Sequence, residues 1–399
     1  MNEKKFEHAI HEYKTPFYIF DTDILAMQVR KIRDVLGEDV ELCYAMKANP
    51  FVIKDLEKMV DSFEVCSPGE FAICERAGIN MGKVVMSGVH KRPVDVEYAL
   101  KHYGDKIIYT AESLSHWQIL TAYSENLRIP IRVLLRLTSG NQFGMDESLI
   151  RQIIAGGTHE FITIEGIQYF SGTQKKSITK LENELQMLDH FCRELNQDHG
   201  FTVKRLEYGP GLPICYFEEE KNEEEQMLNG LAGFIKKLTF GGRVALEMGR
   251  FLTAPCGSYV TSVVDMKINK GEPYCIVDGG IHQLNYYGQM LAMKKPSILH
   301  FNQREGERRE WTVCGSLCTV NDVLVKQCSF QNLHTGDQLI FQKTGAYSVT
   351  EGMSLFLSRD LPQILLYSAK ENFRVARPYV QTDVLNYFKP KETKLWNNY

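Results

Sequence analysis

The sequence has 399 residues and a mass of 45.8 kDa, more than one hydrophobic core usually serves, and this predicts two domains. Its hydrophobic fraction of 44% and charged fraction of 24% are typical of a soluble globular protein. A formal net charge of -4 argues against nucleic acid or an anionic membrane as a partner.

The first 13 residues are charged and lack the apolar core of a signal peptide. No stretch reaches the roughly 18 apolar residues that a membrane span needs. The ten cysteines have no repeated short spacing, so we expect no metal site and a location in the reducing cytoplasm.

Between about residue 40 and residue 250, short apolar or β-branched runs alternate with amphipathic segments of helical length. Such alternation predicts parallel strands, because parallel neighbours need a crossover of this length. Eight units predict a (β/α)8 TIM barrel; an open doubly wound sheet is disfavoured, since no GxGxxG motif follows the first run. The eight runs are Val40–Met46, Phe63–Cys66, Val84–Met86, Ile107–Tyr109, Ile131–Leu137, Thr163–Phe170, Arg205–Tyr208 and Val244–Leu246.

Polar residues or glycines follow every one of these runs, at the end where TIM barrels build their active sites. Any one of them could be a turn or a helix cap, as Ser67 followed by Glu70 illustrates. Together they predict a polar site around one lysine. In chain order they are Lys47, Ser67, Ser87–Gly88, Glu112, Arg136, Thr173, Gly209–Gly211 and Glu247–Arg250.

After about residue 250 the chain reads as strands joined by short polar turns, and helical periodicity is scarce until its end. We predict a barrel domain over 15–250 and an all-β domain over 251–399, completed by residues 1–14. The predicted strands are Ser258–Lys267, Pro273–Val277, Glu310–Cys314, Asp322–Cys328 and Gln338–Thr344.

Lys47 closes the first barrel run, where desolvation favours the nucleophilic free amine, although a lysine there could also reach to the surface. The Gly209–Gly211 turn lets backbone N–H groups approach an anion, and Thr173 and Arg250 add a hydroxyl and a guanidinium at neighbouring strand ends. Glu247 could keep a pyridinium nitrogen protonated, form an ion pair with Arg250, or do both.

The chain resembles the fold-type-III pyridoxal-phosphate decarboxylases, the family of the ornithine, arginine and diaminopimelate decarboxylases. The resemblance extends from about Thr15 to Phe356 and is specific in its order and spacing. It implies a barrel with a β-sandwich or β-barrel domain, and a homodimer whose active sites take residues from both subunits. The matching segments are YAMKANP at Tyr44–Pro50, FEVCSPGE at Phe63–Glu70, QFG at Gln142–Gly144, Gly209–Gly211, EMGR at Glu247–Arg250, CGSLCTVND at Cys314–Asp322 and GAY at Gly345–Tyr347.

Carried over to this chain, the resemblance implies that Lys47 holds pyridoxal 5'-phosphate as a Schiff base and that Glu247 faces the pyridine nitrogen. The phosphate would be held by Thr173, Gly209, Gly211, Gly249 and Arg250, with Tyr347 closing over it. Arg136 would support the ring-stacking residue, Cys318 would return a proton to the substrate carbon, and Thr319 and Asp322 would contact the substrate.

Four departures from the family pattern bear on the cofactor site and the substrate. Phe170 stands where the family has a histidine stacked on the cofactor ring; an aromatic side chain can still stack there. Pro210 removes one N–H donor from the phosphate turn. Thr319 replaces the acid that meets a distal ammonium, and Gly279–Gln289 lacks the arginine that grips a distal carboxylate. The Cys318–Thr319 pair resembles the branch that acts on modified or carrier-tethered amino acids.

The leading hypothesis is therefore decarboxylation of an L-amino acid or amino-acid derivative, including one tethered to a carrier protein. The alternatives are a diaminopimelate- or ornithine-type enzyme acting on a free diamino acid, and a degenerate cofactor-binding protein. An alanine-racemase-like enzyme would need a second base, against which the Cys318 motif argues. A non-enzymatic cofactor carrier would leave the chain after Arg250 unexplained.

Overall fold

The computed structural model describes residues 3–157, 159–301 and 303–388. These residues fall into two compact units. One contains Thr22–Cys215 and Glu220–Pro255. The other contains the described residues up to Asp21, Tyr216–Glu219, and the described residues from Cys256 onward. Within the described ranges, no helix is long and apolar enough to cross a membrane.

The first unit is a closed barrel of eight parallel strands, in which β9 pairs with β2 and aligns Tyr44 with Met248. Its strands are β2 (Glu41–Ala45), β3 (Ser62–Val65), β4 (Val84–Met86), β5 (Ile108–Ala111), β6 (Ile131–Leu137), β7 (Ile162–Phe170), β8 (Arg205–Gly209) and β9 (Arg243–Met248).

Helices alternate with these strands along the chain. They are α2 (Thr22–Leu36), α3 (Ile53–Leu56), α4 (Pro68–Arg76), α5 (Pro93–Tyr103), α6 (Leu114–Leu127), α7 (Glu147–Ala155), α8 (Ile178–His199), α9 (Glu224–Ile235) and α10 (Arg250–Thr253). The start of α4 is set by Ser67, whose hydroxyl accepts a hydrogen bond from Glu70 N at 3.1 Å.

The barrel interior contains charged groups that are paired with one another. Arg205 forms ion pairs with Glu41 and Glu207, and Gln168 donates to Glu207 Oε1 at 2.9 Å. The charges are paired because burying an unpartnered charge inside the barrel would cost free energy of desolvation that no contact offsets. Apolar side chains, among them Cys43, Val85, Ile108 and Leu134, form a core cluster of this unit.

The second unit contains a mixed sheet of nine strands in the described part of the chain, together with helix α1 (Glu3–Glu12). Its central path runs β14-β13-β11-β10-β1-β16-β17, and β15 pairs with both β10 and β12. The strands are β1 (Phe17–Asp21), β10 (Gly257–Asn269), β11 (Glu272–Val277), β12 (Ile298–Phe301), β13 (Arg308–Cys314), β14 (Val323–Gln331), β15 (Gln338–Gln342), β16 (Gln363–Ser368) and β17 (Asn372–Arg377).

The predicted combination of a (β/α)8 barrel with an all-β region is confirmed. The N-terminal part of the chain lies in the sheet unit: β1 pairs with β10 and β16, and Phe6 of α1 packs in one core cluster with Phe17 and Val260. Residues 15–21, which were predicted to belong to the barrel, therefore lie in the sheet unit, and Phe17–Asp21 pair with its strands.

Candidate active site

Lys47 lies in a short 3-10 turn directly after β2, where three side chains approach its amino group. Its Nζ is 2.7 Å from Glu64 Oε2, 3.4 Å from Glu247 Oε1 and 3.6 Å from Cys66 Sγ. The two carboxylates are 2% and 8% exposed, whereas the lysine side chain is 39% exposed. The amino group of Lys47 therefore contacts two buried carboxylates, while part of the lysine side chain is accessible to solvent.

Glu64 and Glu247 form a coupled acidic pair beneath this amine. Burial raises the pKa of Glu247, and the negative charge of Glu64 raises it further. Burial alone would raise the pKa of Glu64 too, but the Lys47 ammonium and hydrogen bonds from Glu247 and Lys47 lower it below its usual range. The directions of the two pKa shifts favour a proton on Glu247 and an ionised Glu64.

The sequence analysis missed Glu64, although it quoted the segment that contains it. Glu64 lies in the middle of the buried strand β3, and a charged side chain in such a strand requires a partner. That signal could have marked it as a site residue. Cys66 was missed in the same way; burial, followed by the charge of Glu64, raises the pKa of its thiol well above the usual value.

The predicted phosphate-binding residues come from three successive segments after β7, β8 and β9. Arg250 is buried, and its Nε donates to Thr173 Oγ1 at 3.4 Å. Gly211 has a φ of +61°, and a Cβ there would lie 2.0 Å from the carbonyl oxygen of Gly172. The backbones of the two loops therefore approach so closely that only glycine fits at position 211. Gly249 precedes α10.

Phe170 ends β7 beside Gly209, its register partner in β8. A Cβ on Gly209 would lie 2.5 Å from Phe170 Cδ2, so the ring packs directly on the glycine backbone. Arg136 Nη1 lies 3.0 Å from Glu112 Oε2, and its guanidinium carbon is 5.0 Å from the centroid of the Phe143 ring. The role of Arg136 in supporting Phe170 stays a prediction.

The remaining predicted site residues belong to the sheet unit; they are Cys318, Thr319, Asp322 and Tyr347. Cys318 is exposed in the loop between β13 and β14, and Thr319 is half-buried beside it. The carboxylate of Asp322 is buried and accepts hydrogen bonds from Leu317 N at 2.7 Å and Ile281 N at 2.8 Å. These contacts assign Asp322 a structural role in this loop, and its contact with substrate stays a prediction.

Tyr347 follows β15, has a φ of +66° and is half-buried. Its carbonyl oxygen accepts hydrogen bonds from Thr350 N at 2.8 Å and from Glu351 N at 2.9 Å, which close a tight turn. Its predicted closure over a phosphate group stays a prediction.

The barrel matches the family model described as the pyridoxal-binding domain of the pyridoxal-dependent decarboxylases, over residues 23–254. The chain belongs to this decarboxylase family. Among curated relatives, it is 26% identical over 384 residues to an L-glutamyl-(BtrI acyl-carrier protein) decarboxylase of Niallia circulans, covering 88% of each chain. It is 25% identical to the diaminopimelate decarboxylase of Campylobacter jejuni, covering 92% of this chain and 96% of that one.

Solved structures of the family share the fold. The diaminopimelate decarboxylase of M. jannaschii, in complex with L-lysine, has a TM-score of 0.84 at 20% identity and covers 96% of this chain and 94% of its own. A structure called SrLDC, in complex with PLP and cadaverine, has a TM-score of 0.81 at 21% identity, with coverages of 92% and 94%.

Pyridoxal 5'-phosphate is the cofactor of this family, and the residues present fit it. The primary amine of Lys47 can bind an aldehyde covalently. The glycine loops leave backbone close to any bound anion, and buried Arg250 supplies a positive charge beside Thr173. Glu247 supplies a buried carboxyl group of the kind that contacts a pyridine nitrogen.

Proposed function

We propose that this chain is a pyridoxal-phosphate-dependent decarboxylase of an L-amino acid or amino-acid derivative, with Lys47 as the cofactor-binding lysine. The observation that carries the proposal is the position of Lys47 Nζ, 2.7 Å from Glu64 and 3.4 Å from Glu247, at the barrel end where the glycine loops and Arg250 also lie. Family membership supports it independently.

In this proposal Lys47 holds the aldehyde carbon of the cofactor, and Thr173, Gly211 and Arg250 bind its phosphate group. Phe170 presents an aromatic face beside Gly209, on which a flat ring can stack. Glu247 carries a proton on its carboxyl group because burial and Glu64 raise its pKa, and this proton is available to a ring nitrogen.

When bound, the cofactor supplies a cationic ring that accepts the electron pair left when the substrate carboxylate departs as carbon dioxide. When it is not bound to the cofactor, the amino group of Lys47 would be held by the ionised Glu64, close to the reacting atoms. The thiol of Cys318 donates the proton that replaces the lost carboxylate on the substrate carbon. Burial of Glu64 and Glu247 excludes water from the acidic side of the site.

We further propose that the active enzyme is a homodimer in which Cys318 acts in the site of the partner subunit. Exposed apolar side chains surround the Cys318 loop within the sheet unit, and they line or adjoin one cavity of about 460 Å³. Val320 is 92% exposed, Leu291 72% and Met353 53%. Such a patch is typical of a protein interface.

All ten cysteines are free, which fits an enzyme of the reducing cytoplasm.

For the substrate, we propose an amino acid whose far end is neutral or tethered. Thr319 offers no negative charge for a distal ammonium. The segment Gly279–Gln289 contains no arginine that could grip a distal carboxylate, and its Tyr286 is buried and donates a hydrogen bond to the carbonyl of Gln342. The relative that acts on a glutamyl carrier protein supports this choice, whereas the diaminopimelate decarboxylase relatives support the alternative of a free diamino acid.

The test is carbon dioxide release by the purified, cofactor-loaded protein. It should be offered glutamyl carrier protein, diaminopimelate, ornithine and lysine in parallel. Release from the tethered substrate alone supports the proposal. Brisk turnover of a free diamino acid would contradict the tethered substrate and support the free diamino acid instead. If no substrate releases carbon dioxide although the cofactor is bound at Lys47, the protein is a degenerate decarboxylase.

A further inference from the structure

Two loops that carry the proposed phosphate ligands are joined by hydrogen bonds of this chain's own residues. Lys175 N donates to Gly211 O at 2.9 Å. The side chain of Gln174 donates from Nε2 to Ile214 O at 3.0 Å and accepts from Ile214 N at 2.6 Å. Residues 174–175 and 211–214 are therefore fixed to each other directly after Thr173.

Behind these loops lies a buried cluster centred on Glu184 of α8. Its Oε2 accepts from Lys175 Nζ and from Tyr208 Oη, both at 2.6 Å, and its Oε1 accepts from Ser171 Oγ at 2.5 Å. The side chains of Lys175 and Glu184 are only 3% and 9% exposed. Lys175 Nζ also lies 5.4 Å from the centroid of the Tyr208 ring.

A buried ion pair of this kind contributes little net free energy to the stability of the fold. Moving an ammonium and a carboxylate out of water costs several kcal/mol per ion, and apolar residues of similar size often do as well or better. What a buried hydrogen-bonded network provides is a single geometry. Here that geometry is imposed on Ser171 and Lys175, which bracket Gly172 and Thr173, and on Tyr208, which precedes Gly209.

The need for such support follows from Pro210. Proline has no N–H, so the turn at 209–211 offers one donor fewer to an anion. A site with fewer donors depends more strongly on having the remaining ones in place before the ligand arrives, because ordering them on binding would cost affinity.

We propose that Glu184, with Lys175, Tyr208 and Ser171, forms a positioning cluster that holds the phosphate loops in their binding geometry and so sets the affinity for the cofactor phosphate. None of the four residues needs to touch the cofactor. This inference rests on the proposed function, because it takes the loops at Thr173 and Gly211 to be the phosphate site.

The test compares Glu184→Gln with the wild type in the full-length protein stripped of cofactor. Binding of pyridoxal 5'-phosphate and of pyridoxal is titrated by the visible absorbance of the lysine-bound cofactor, and binding of inorganic phosphate by calorimetry. We expect pyridoxal 5'-phosphate and inorganic phosphate to bind about 10-fold more weakly, as when supporting residues are removed at metal sites, and pyridoxal to bind unchanged. Tyr208→Phe, which removes one hydroxyl, should give a smaller loss of the same kind and replaces Glu184→Gln if that variant does not fold.

Glu194→Gln is the matched control, because Glu194 lies on the same helix and pairs with Arg151 at 2.6 Å near the surface. It should bind all three ligands as the wild type does. Unchanged phosphate affinities in Glu184→Gln and Tyr208→Phe would overturn the positioning role, as would equal losses for pyridoxal and pyridoxal 5'-phosphate. If the wild-type protein forms no lysine-bound cofactor at all, the proposed function fails instead, and the calorimetric comparison still decides whether the cluster controls a phosphate site.

Discussion

Lys47 Nζ donates a hydrogen bond to Glu64 Oε2 at 2.7 Å, and this buried carboxylate is the nearest acidic partner of the proposed cofactor-binding amine. The contact gives the amine a fixed position at the end of β2. It also stabilises the ammonium form, which cannot attack an aldehyde until it loses a proton.

Replacing Lys47 by alanine should abolish the visible absorbance of lysine-bound cofactor, because among the described residues no other lysine contacts both Glu64 and Glu247. The measurement is an absorbance spectrum after incubation with pyridoxal 5'-phosphate and removal of the excess. Lys101→Ala, which changes an exposed lysine paired with Glu97, should keep the band. A band that persists in Lys47→Ala would refute the central assignment.

Glu64→Gln should shift the pH dependence of cofactor loading toward lower pH. The variant removes the negative charge that favours the Lys47 ammonium, while Glu247 and Cys66 remain next to the same nitrogen. Stopped-flow absorbance across a pH series gives the midpoint of the loading rate. Glu97→Gln, on the barrel surface, should leave the midpoint unchanged, and an unshifted midpoint in Glu64→Gln would contradict this role for Glu64.

Gly211→Ala and Gly233→Ala should have opposite effects on stability. At position 211 the positive φ and a Cβ 2.0 Å from Gly172 O force the two loops apart, so we expect a loss of more than about 2 kcal/mol and weaker cofactor binding. Position 233 lies within α9 with no atom near the added Cβ, and alanine there should stabilise by about 1 kcal/mol. Denaturant unfolding of both cofactor-free variants checks the signs.

Lys91→Met should stabilise the protein near neutral pH. Lys91 is 6% exposed, and its Nζ donates to Gly88 O at 3.0 Å. Burial lowers its pKa from 10.5 to about 8, partly opposed by Glu112. The unfolded chain therefore binds the proton more tightly, and the cost of charging Lys91 in the fold is complete below pH 8 and fades toward pH 10.5.

The gain from Lys91→Met should therefore reach up to about 3 kcal/mol at pH 7 and vanish near pH 10.5. Urea unfolding of variant and wild type at both pH values measures it. Lys101→Met serves as the exposed control and should show no such pH dependence. A gain of equal size at both pH values would mean that packing, not charge, limits stability at position 91.

Mixing two inactive variants should restore activity if each site takes residues from both subunits. Lys47→Ala and Cys318→Ala, unfolded and refolded together in equal amounts, should form heterodimers with one intact site, giving about a quarter of the wild-type carbon dioxide release. Each variant refolded alone is the control. Failure of the mixture to recover activity, with heterodimers present, would contradict the shared site.

Much of the barrel was predictable from sequence. All eight predicted runs end within two residues of the observed strands, and the run Val244–Leu246 lies inside β9. In the sheet unit, β1, β12, β16 and β17 were not predicted. β12 has only four residues, too few for an alternating pattern to stand out from a loop, and β16 pairs with β1, which lies more than 300 residues earlier in the chain.

The alternation of strands and helices, and the place of Lys47 at the end of a strand, could be predicted from the sequence because hydrophobic periodicity is a property of neighbouring residues. It did not determine which buried acids face that lysine. Glu64 and Glu247 lie 17 and 200 positions from Lys47, and only closure of the barrel brings all three together. The raised pKa of Glu247, the structural role of Asp322 and the Glu184 cluster depend in the same way on burial and on contacts between distant segments, which form only when the chain folds.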